Sequence, residues 1–161
     1  MGVPWYGYQY YCVKVTGDHC HVYNQTVPSK HNIMYSHTNG DHIYHNSSKK
    51  HQQSNSNDVD PHIGREVDLD RIKSEYLPLA IGGRKWDDSS KSPFFTFKNK
   101  TTGKYNQIWY DDVESLTYKY KYAVDNGLRG VGMWTADSVN YGAPGKLAKE
   151  MWNTLPNYNK M

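Results

Sequence analysis

The sequence predicts an α/β fold, and the prediction rests on the order of elements in its carboxy-terminal third. An amphipathic helix that Asp111 or Asp112 can cap ends near Gly127. A short strand over residues 128–134 follows at once, and after a loop comes another helix. This order is typical of α/β barrels and of open parallel sheets, in which chemistry lies at the carboxyl ends of the strands. Trp134 stands at such an end.

The bulk composition allows one domain with a core and excludes two classes of partner. The chain has 161 residues, of which 37% are hydrophobic, and its net charge is +3. Because no block of Lys and Arg forms a face, neither nucleic acid nor an anionic membrane is expected as a partner. No apolar run reaches transmembrane length, and the amino terminus lacks the pattern of a signal peptide.

The first half of the chain divides into an apolar opening, a polar stretch and a helix. Residues 1–11 read as a buried strand that runs out into a loop. Residues 24–58 are rich in His, Asn and Ser and predict a flexible insertion. An amphipathic helix then follows, because apolar residues recur at helical spacing until Pro78 stops it: Leu69, Ile72, Tyr76 and Leu77.

The second half reads as a hairpin and two helices around the short strand. Residues 93–97 and 105–110 are rich in aromatic and β-branched residues and flank a polar turn, which predicts a hairpin. Five residues of the following helix line one face: Val113, Leu116, Tyr120, Ala123 and Val124. In the strand after it, Gly130 and Gly132 would allow close packing. The last helix presents Leu147, Met151 and Leu155.

Aromatic residues and two cysteines each leave two interpretations open. Aromatic residues make up 14% of the chain, with 15 Tyr and 5 Trp, and they suit either hairpins and core or the flat faces of sugar rings. Cys12 and Cys20 are spaced to bridge two arms of a hairpin, or they are free thiols.

Three stretches are more specific than this pattern. They are Met-Gly-Val-Pro-Trp-Tyr-Gly at residues 1–7, Gln-Ile-Trp-Tyr-Asp at 107–111 and Leu-Arg-Gly-Val-Gly-Met-Trp at 128–134. Together they resemble family 18 glycoside hydrolases, chiefly members of the chitobiase type. The resemblance implies that residues 1–161 are the carboxy-terminal part of one catalytic domain. It implies a partial TIM (β/α)₈ barrel with the last two strands and their helices, and an inserted α+β subdomain at residues 59–110.

The resemblance also implies a hydrolytic activity, but the catalytic acid of that activity is missing from this chain. The family hydrolyses β-linked N-acetylglucosamine with retention, using a glutamic acid in a DxxDxDxE motif while the acetamide of the substrate attacks the anomeric carbon. No stretch of this chain fits that motif, since Glu66, Asp68 and Asp70 lie at a predicted helix start and read as capping and solvated charge. No catalytic residue is therefore assigned, and the chain alone is expected to be inactive.

The resemblance carries over four candidate substrate-binding residues. Trp134 matches the tryptophan that floors the subsite of the reacting sugar, although a core Trp under the last helix is the alternative. Tyr6 matches a cleft tyrosine, and Trp5 and Tyr8 are further candidates. At Tyr8 many chitinases carry arginine, and Asn140 stands where relatives have Asp and receives no role. The expected partners are N-acetylglucosamine oligosaccharides, with no cofactor and a monomeric state.

Other readings compete with a hydrolase fragment. A chitinase-like lectin would keep the aromatic cleft and lack the acid. Asp18, His19, Cys20 and His21 could form a metal site together with Cys12, but no paired spacing recurs and scattered histidines in a polar insertion are usually solvated, so no metal is expected. Three sequons begin at Asn24, Asn46 and Asn99 and are candidate glycosylation sites. They agree with the lysosomal or secreted location that the resemblance implies.

Overall fold

The computed structural model describes residues 1–22, 64–142 and 144–156. The predicted insertion at 24–58 and the sequons at Asn24 and Asn46 lie outside these residues, as do six of the eight histidines. The described part contains two parallel strands backed by helices and a larger antiparallel sheet.

Two short strands at opposite ends of the sequence pair in parallel. Strand β1 (Gly2–Pro4) lies beside β9 (Gly132–Trp134), with Pro4 opposite Trp134. Helix α2 (Val113–Asp125) precedes β9 and α3 (Lys146–Asn153) follows it. The fold is therefore α/β, as the order of elements predicts.

The larger sheet has five antiparallel strands: β2 (Tyr6–Cys12), β5 (Arg65–Asp68), β6 (Lys85–Asp87), β7 (Ser92–Lys98) and β8 (Tyr105–Tyr110). Their order across the sheet is β5, β2, β8, β7, β6. The predicted hairpin is the β7–β8 pair. The prediction that the opening segment runs out into a loop is wrong, because residues 6–12 form a strand between β5 and β8. Gln9 lies on the buried side of this strand and donates to Asn106, so a polar pair occupies a core position that hydrophobicity does not reveal.

One helical segment covers the apolar side of this sheet. It begins as α1 (Leu69–Arg71), continues as a π-helical turn over Ile72–Tyr76 and ends as a 3₁₀ turn over Leu77–Leu79. Leu69 and Ile72 are fully buried, and the rings of Tyr76 and Phe97 lie 5.3 Å apart. The predicted amphipathic helix is thus present, with its apolar positions on the sheet.

Helix α2 is fixed at both ends by residues that the sequence singles out. Asp112 is the N-cap and accepts from the Glu114 and Ser115 amides, while the Ser115 hydroxyl completes a capping box. After the helix, Gly127 takes a positive φ of 63°, which favours glycine. Tyr120 on the buried face accepts a hydrogen bond from the indole of Trp5.

The strand predicted at 128–134 is shorter than expected, since pairing begins at Gly132. The expectation of close packing at Gly130 and Gly132 is not met within the described residues, because a Cβ at either position would have no neighbour within 4 Å. Helix α3 follows, with Met151 fully buried and Leu147 and Leu155 packed against the same core.

A small hairpin projects from the end of β2. Strands β3 (Lys14–Thr16) and β4 (His19–His21) pair antiparallel, and a disulfide joins Cys12 to Cys20. At the tip, Asp18 pairs with Lys85, and its backbone carbonyl accepts from Gln107 at 2.9 Å. The hairpin is therefore fastened to the sheet at its base and at its tip.

Candidate functional site

Trp134 is exposed at the carboxyl end of the parallel pair. The residue is 68% exposed, and its backbone carbonyl accepts a hydrogen bond from the Trp5 amide at 2.8 Å. The peptide bond that follows it is cis. Beyond it, the Ser138 hydroxyl donates to the Asp68 carboxylate at 3.3 Å, which ties this loop to strand β5. An indole in this position offers an open ring face.

Tyr6 is the first residue of β2 and lies close to the loop that follows Trp134. It is opposite Asp68 in the β2–β5 register, and its ring meets that of Tyr8 edge to face at 5.5 Å. A hydrogen bond with Tyr8, helped by partial burial, raises the pKa of the Tyr6 hydroxyl above its ordinary value. Tyr6 is therefore protonated at neutral pH, and because its one O–H is engaged with Tyr8, its oxygen is left to accept a hydrogen bond.

Tyr6 and Tyr8 belong to a row of aromatic side chains on one side of the five-stranded sheet. We call this side the aromatic face and define it by Tyr6, Tyr8, Tyr10, Phe94 and Trp109. Across three strands Tyr8 is opposite Trp109 and Trp109 is opposite Phe94, so the three side chains share that side. The rings of Phe94 and Trp109 are stacked with centroids 4.5 Å apart.

A cavity of about 270 Å³ opens on the aromatic face beside β1. Aromatic side chains line it together with hydroxyl and carboxyl groups, including Tyr6, Tyr8, Trp109, Ser92 and Asp87. Asp111 also lines it but is bound by Lys119, whose Nζ lies 2.6 Å from Oδ1. Rings that cover apolar surface, with a few polar groups at their edge, suit a sugar.

Trp5, the third candidate binding residue, is not at this surface. It has no exposed area, its ring packs edge to face against Trp152 at 5.1 Å, and its indole bonds to Tyr120. Trp5 is a core residue in this structure because it lies between β1 and β2, where its ring is covered by Trp152 of α3 and Tyr120 of α2. The sequence does not show that these two helices cover this position.

Three carboxylates that are close together in the sequence but do not fit the acid motif are spread over two elements: Glu66, Asp68 and Asp70. Glu66 lies in β5, and Asp70 lies in the first turn of the helix. Asp68 occupies the N-cap position, yet its side chain makes no cap hydrogen bond, so the expected capping role is wrong for it. It instead accepts from Ser138.

Other residues singled out by the sequence have local roles. The Oδ1 of Asn99 accepts from the Thr101 and Thr102 amides and holds the β7–β8 turn. Asn140 accepts from the Gly142 amide at 2.7 Å. Sequence reasoning did not identify Trp109 or Asp87, although alternation along Gln107, Ile108 and Trp109 could have placed Trp109 on the side opposite buried Ile108.

The described residues contain neither a cluster of metal ligands nor a membrane-spanning helix. Within residues 1–22, 64–142 and 144–156, no three His, Cys, Asp or Glu side chains gather closely enough to hold a metal ion. None of the helices in this part is both long and apolar enough to cross a bilayer.

Comparison with known proteins gives one family and a consistent set of relatives. The family model described as glycosyl hydrolases family 18 matches residues 1–138. Di-N-acetylchitobiase of Homo sapiens is 29% identical over 159 residues, which are 96% of this chain and 34% of that protein. Probable di-N-acetylchitobiase 1 of Dictyostelium discoideum is 29% identical over 163 residues, covering 100% of this chain and 37% of its own length. The chain thus spans about a third of the length of the curated relatives that it matches.

Solved structures agree in fold. An immunomodulatory chitinase from Trichuris suis matches 95% of this chain and 34% of its own, with a TM-score of 0.53 and 18% identity. A class V chitinase from Nicotiana tobaccum in complex with NAG4 matches 95% of this chain and 33% of its own, with a TM-score of 0.53 and 15% identity. At these identities the likeness concerns the fold alone.

Proposed function

The chain belongs to the glycosyl hydrolases of family 18, and on that premise we propose that it forms part of a hydrolase of β-linked N-acetylglucosamine. Chitobiose and chitin oligosaccharides are the proposed substrates. The names of the curated relatives support this choice, because several are di-N-acetylchitobiases. A structural neighbour is a chitinase in complex with NAG4.

The observation that carries the proposal is the exposed indole of Trp134 at the end of a parallel strand. In barrel enzymes the carboxyl ends of the strands surround the active site. An indole that is 68% exposed there can stack on the apolar face of a pyranose and exclude water from it. Tyr6 lies in the neighbouring strand β2, and its hydroxyl oxygen can accept a hydrogen bond from a sugar hydroxyl.

The chemistry is divided between this chain and residues outside it. By family resemblance a glutamic acid protonates the leaving oxygen while the substrate's acetamide attacks the anomeric carbon. We assign that acid to a residue beyond these 161, because Glu66, Asp68 and Asp70 stand in no DxxDxDxE motif. The chain's own part is to bind and orient the sugar through Trp134 and Tyr6.

The partial barrel follows from the same proposal. Strands β1 and β9 would be the seventh and eighth strands of a (β/α)₈ barrel, and within the described residues each pairs only with the other. Residues 59–110 would be the inserted α+β subdomain. The Cys12–Cys20 disulfide favours an oxidising compartment, which supports a lysosomal or secreted location.

The test is a binding titration of the chain with chitotriose. Trp134→Ala should weaken binding at least about fivefold, because it removes the stacking surface. Tyr122→Ala is the matched control, since this aromatic residue is also exposed (59%) but lies on α2. Equal affinities in the two variants would overturn the role of Trp134.

The lectin alternative shares this binding surface and differs in the acid. It predicts the same titration and no hydrolysis, even by a longer protein that carries this chain. The sequence of such a protein separates the two, because an intact DxxDxDxE motif indicates a hydrolase and a replaced glutamic acid indicates a lectin.

A further inference from the structure

The aromatic face extends well beyond Tyr6, to a second cavity under the disulfide-closed hairpin. This cavity has a volume of about 400 Å³ and is lined by Tyr10, Phe94 and Trp109 on the sheet side and by Asp18 and His19 on the hairpin side. Trp109 and Asp87 line both this cavity and the smaller one beside Tyr6. The two cavities are therefore neighbouring parts of one depression.

We propose that this depression holds an additional subsite for a β-linked N-acetylhexosamine oligosaccharide, centred on Trp109. The proposal rests on the proposed function, because it takes the sugar at Trp134 and Tyr6 as the first part of the same ligand. Pro4 lines the smaller cavity and is opposite Trp134 in the parallel pair, which puts Trp134 beside the depression. A tetrasaccharide would therefore occupy both regions, whereas a disaccharide would occupy the Trp134 region alone.

Trp109 is built as a platform. Its indole N–H donates to Oε1 of Gln107 at 2.8 Å, and Phe94 stacks against it with an interplanar angle of 13°. Gln107 is itself held, since its Nε2 bonds to Thr96 and to the Asp18 carbonyl. The ring is thus fixed and half-buried with its polar atom satisfied, so what it presents to the cavity is apolar ring surface.

Asp87 gives the cavity a polar edge. Its Oδ2 accepts three hydrogen bonds, from the Ser89 hydroxyl, the Ser90 hydroxyl and the Ser90 amide, at distances of 2.6 to 2.7 Å. These bonds hold the pKa of Asp87 below its ordinary value, so the group is an ionised acceptor at neutral pH. Among the described residues its recorded hydrogen bonds all fall on Oδ2, which leaves Oδ1 for a sugar hydroxyl.

The hairpin forms a wall that is in place before any ligand arrives. The Cys12–Cys20 disulfide closes its base, and Asp18 is fastened at its tip by Lys85 and Gln107. A wall held in this way lowers the entropy cost of binding, because no loop has to be ordered. Aromatic rings, one carboxylate and a fixed wall suit a neutral polyhydroxylated ring better than an apolar or an anionic ligand.

The test follows the indole N–H signals of the five tryptophans in the full, nitrogen-15-labelled chain, assigned by Trp→Phe substitutions. Chitotetraose should shift the Trp109 and Trp134 signals with one midpoint, and chitobiose should shift Trp134 alone. If chitotetraose shifts Trp134 and leaves Trp109 unmoved, the subsite is overturned and the proposed function stands. If neither signal moves, both are overturned. A shift of Trp109 alone supports the subsite and overturns the role of Trp134.

Affinity gives a second, independent readout. Trp109→Ala should raise the dissociation constant for chitotetraose about tenfold and leave that for chitobiose within about twofold. Tyr122→Ala, an exposed ring on α2, should change neither. If Trp109→Ala does not fold, Asp87→Asn is the replacement variant. It should weaken chitotetraose binding several-fold and leave the dissociation constant for chitobiose unchanged. Equal loss for both sugars in the variant that folds would overturn the subsite.

Discussion

The backbone amide of Trp5 donates to the carbonyl of Trp134 over 2.8 Å, yet the two indoles occupy opposite environments. Trp5 has no exposed surface, whereas Trp134 is 68% exposed. Trp5 contacts Trp152 and Tyr120 on the side of the helices, and Trp134 stands at the end of its strand. One residue therefore stabilises the pair of strands, and the other is free to meet a ligand.

Alanine at these two positions should separate folding from binding. Trp134→Ala is expected to leave the free energy of unfolding within about 0.5 kcal/mol and to weaken oligosaccharide binding by about 1 to 3 kcal/mol, with partial rescue by Phe. Trp5→Ala should lower the free energy of unfolding by about 3 to 5 kcal/mol. Urea unfolding and titration of both variants are the measurements. Unfolding by Trp134→Ala would identify it as a core residue.

The isolated chain should not hydrolyse chitobiose or chitotriose. The reason is that no residue of the chain stands in the family's acid motif, so nothing is positioned to protonate the leaving oxygen. Product release measured by chromatography after long incubation checks this. Turnover by purified chain that survives substitution of Glu66, Asp68 and Asp70 would show that the acid argument is wrong.

The sequence predicts the elements whose signal is local. The α2 helix shows its cap at Asp112 and its end at Gly127, and the β7–β8 hairpin shows two aromatic runs around a turn. The match to family 18 confirms the resemblance drawn from three short stretches. Each of these signals lies within a few neighbouring residues.

What the sequence does not predict depends on partners that are distant in the chain. The sequence predicts a strand at the opening of the chain but not its continuation to Cys12, because the partners of β2 are distant: Gln9 finds its hydrogen bond 97 residues away, at Asn106. The burial of Trp5 depends on the parallel pairing of β1 with β9, which decides the side that the helices cover. Trp109 gains its place between Tyr8 and Phe94 only through strand register.

Gly7 should tolerate no side chain. A Cβ there would lie 2.5 Å from the Trp109 carbonyl oxygen and 2.7 Å from the Ile72 side chain, so the β2–β8 pair would have to separate. Gly7→Ala is expected to lower the free energy of unfolding by about 2 kcal/mol or more. Gly130→Ala is the control, because a Cβ there has no neighbour within 4 Å and should cost about 0.5 kcal/mol or less. Equal costs at the two positions would contradict this packing.

Removing the disulfide should loosen the hairpin and spare the rest of the sheet. The Cys12–Cys20 bridge closes a sequence separation of 8, for which chain entropy gives about 2 to 3 kcal/mol. In the double variant Cys12→Ser, Cys20→Ser, amide hydrogen exchange should rise in β3 and β4 and stay unchanged in β7. Unchanged exchange in β3 and β4 would mean that Asp18, through Lys85 and Gln107, holds the hairpin by itself.

The last prediction concerns Asp112, which joins the helix cap to a partly buried ion pair with Arg84. Burial raises the pKa of this carboxyl, but hydrogen bonding to Arg84, the charge of Lys73 and the Ser115 amide outweigh it and hold the pKa below its ordinary value. The Nε of Arg84 lies 2.9 Å from Oδ2. Because the pKa is lower in the folded state, the ion pair stabilises the fold fully above about pH 4, near the unfolded pKa, and the effect is lost as pH falls through the folded pKa.

Asp112→Asn should remove the ion pair with Arg84 and keep the helix cap, since asparagine also caps helices. Between pH 5 and 7 the free energy of unfolding of the variant is expected to be about 1 to 3 kcal/mol lower than that of the parent chain. The difference should shrink below about pH 4. Urea unfolding from pH 7 to pH 2 measures it. Glu114→Gln is the control, because this exposed partner of Arg84 should cost about 0.5 kcal/mol or less at any pH. A difference for Asp112→Asn that is constant down to pH 2 would show that the lost stability comes from packing at the cap and not from the charge.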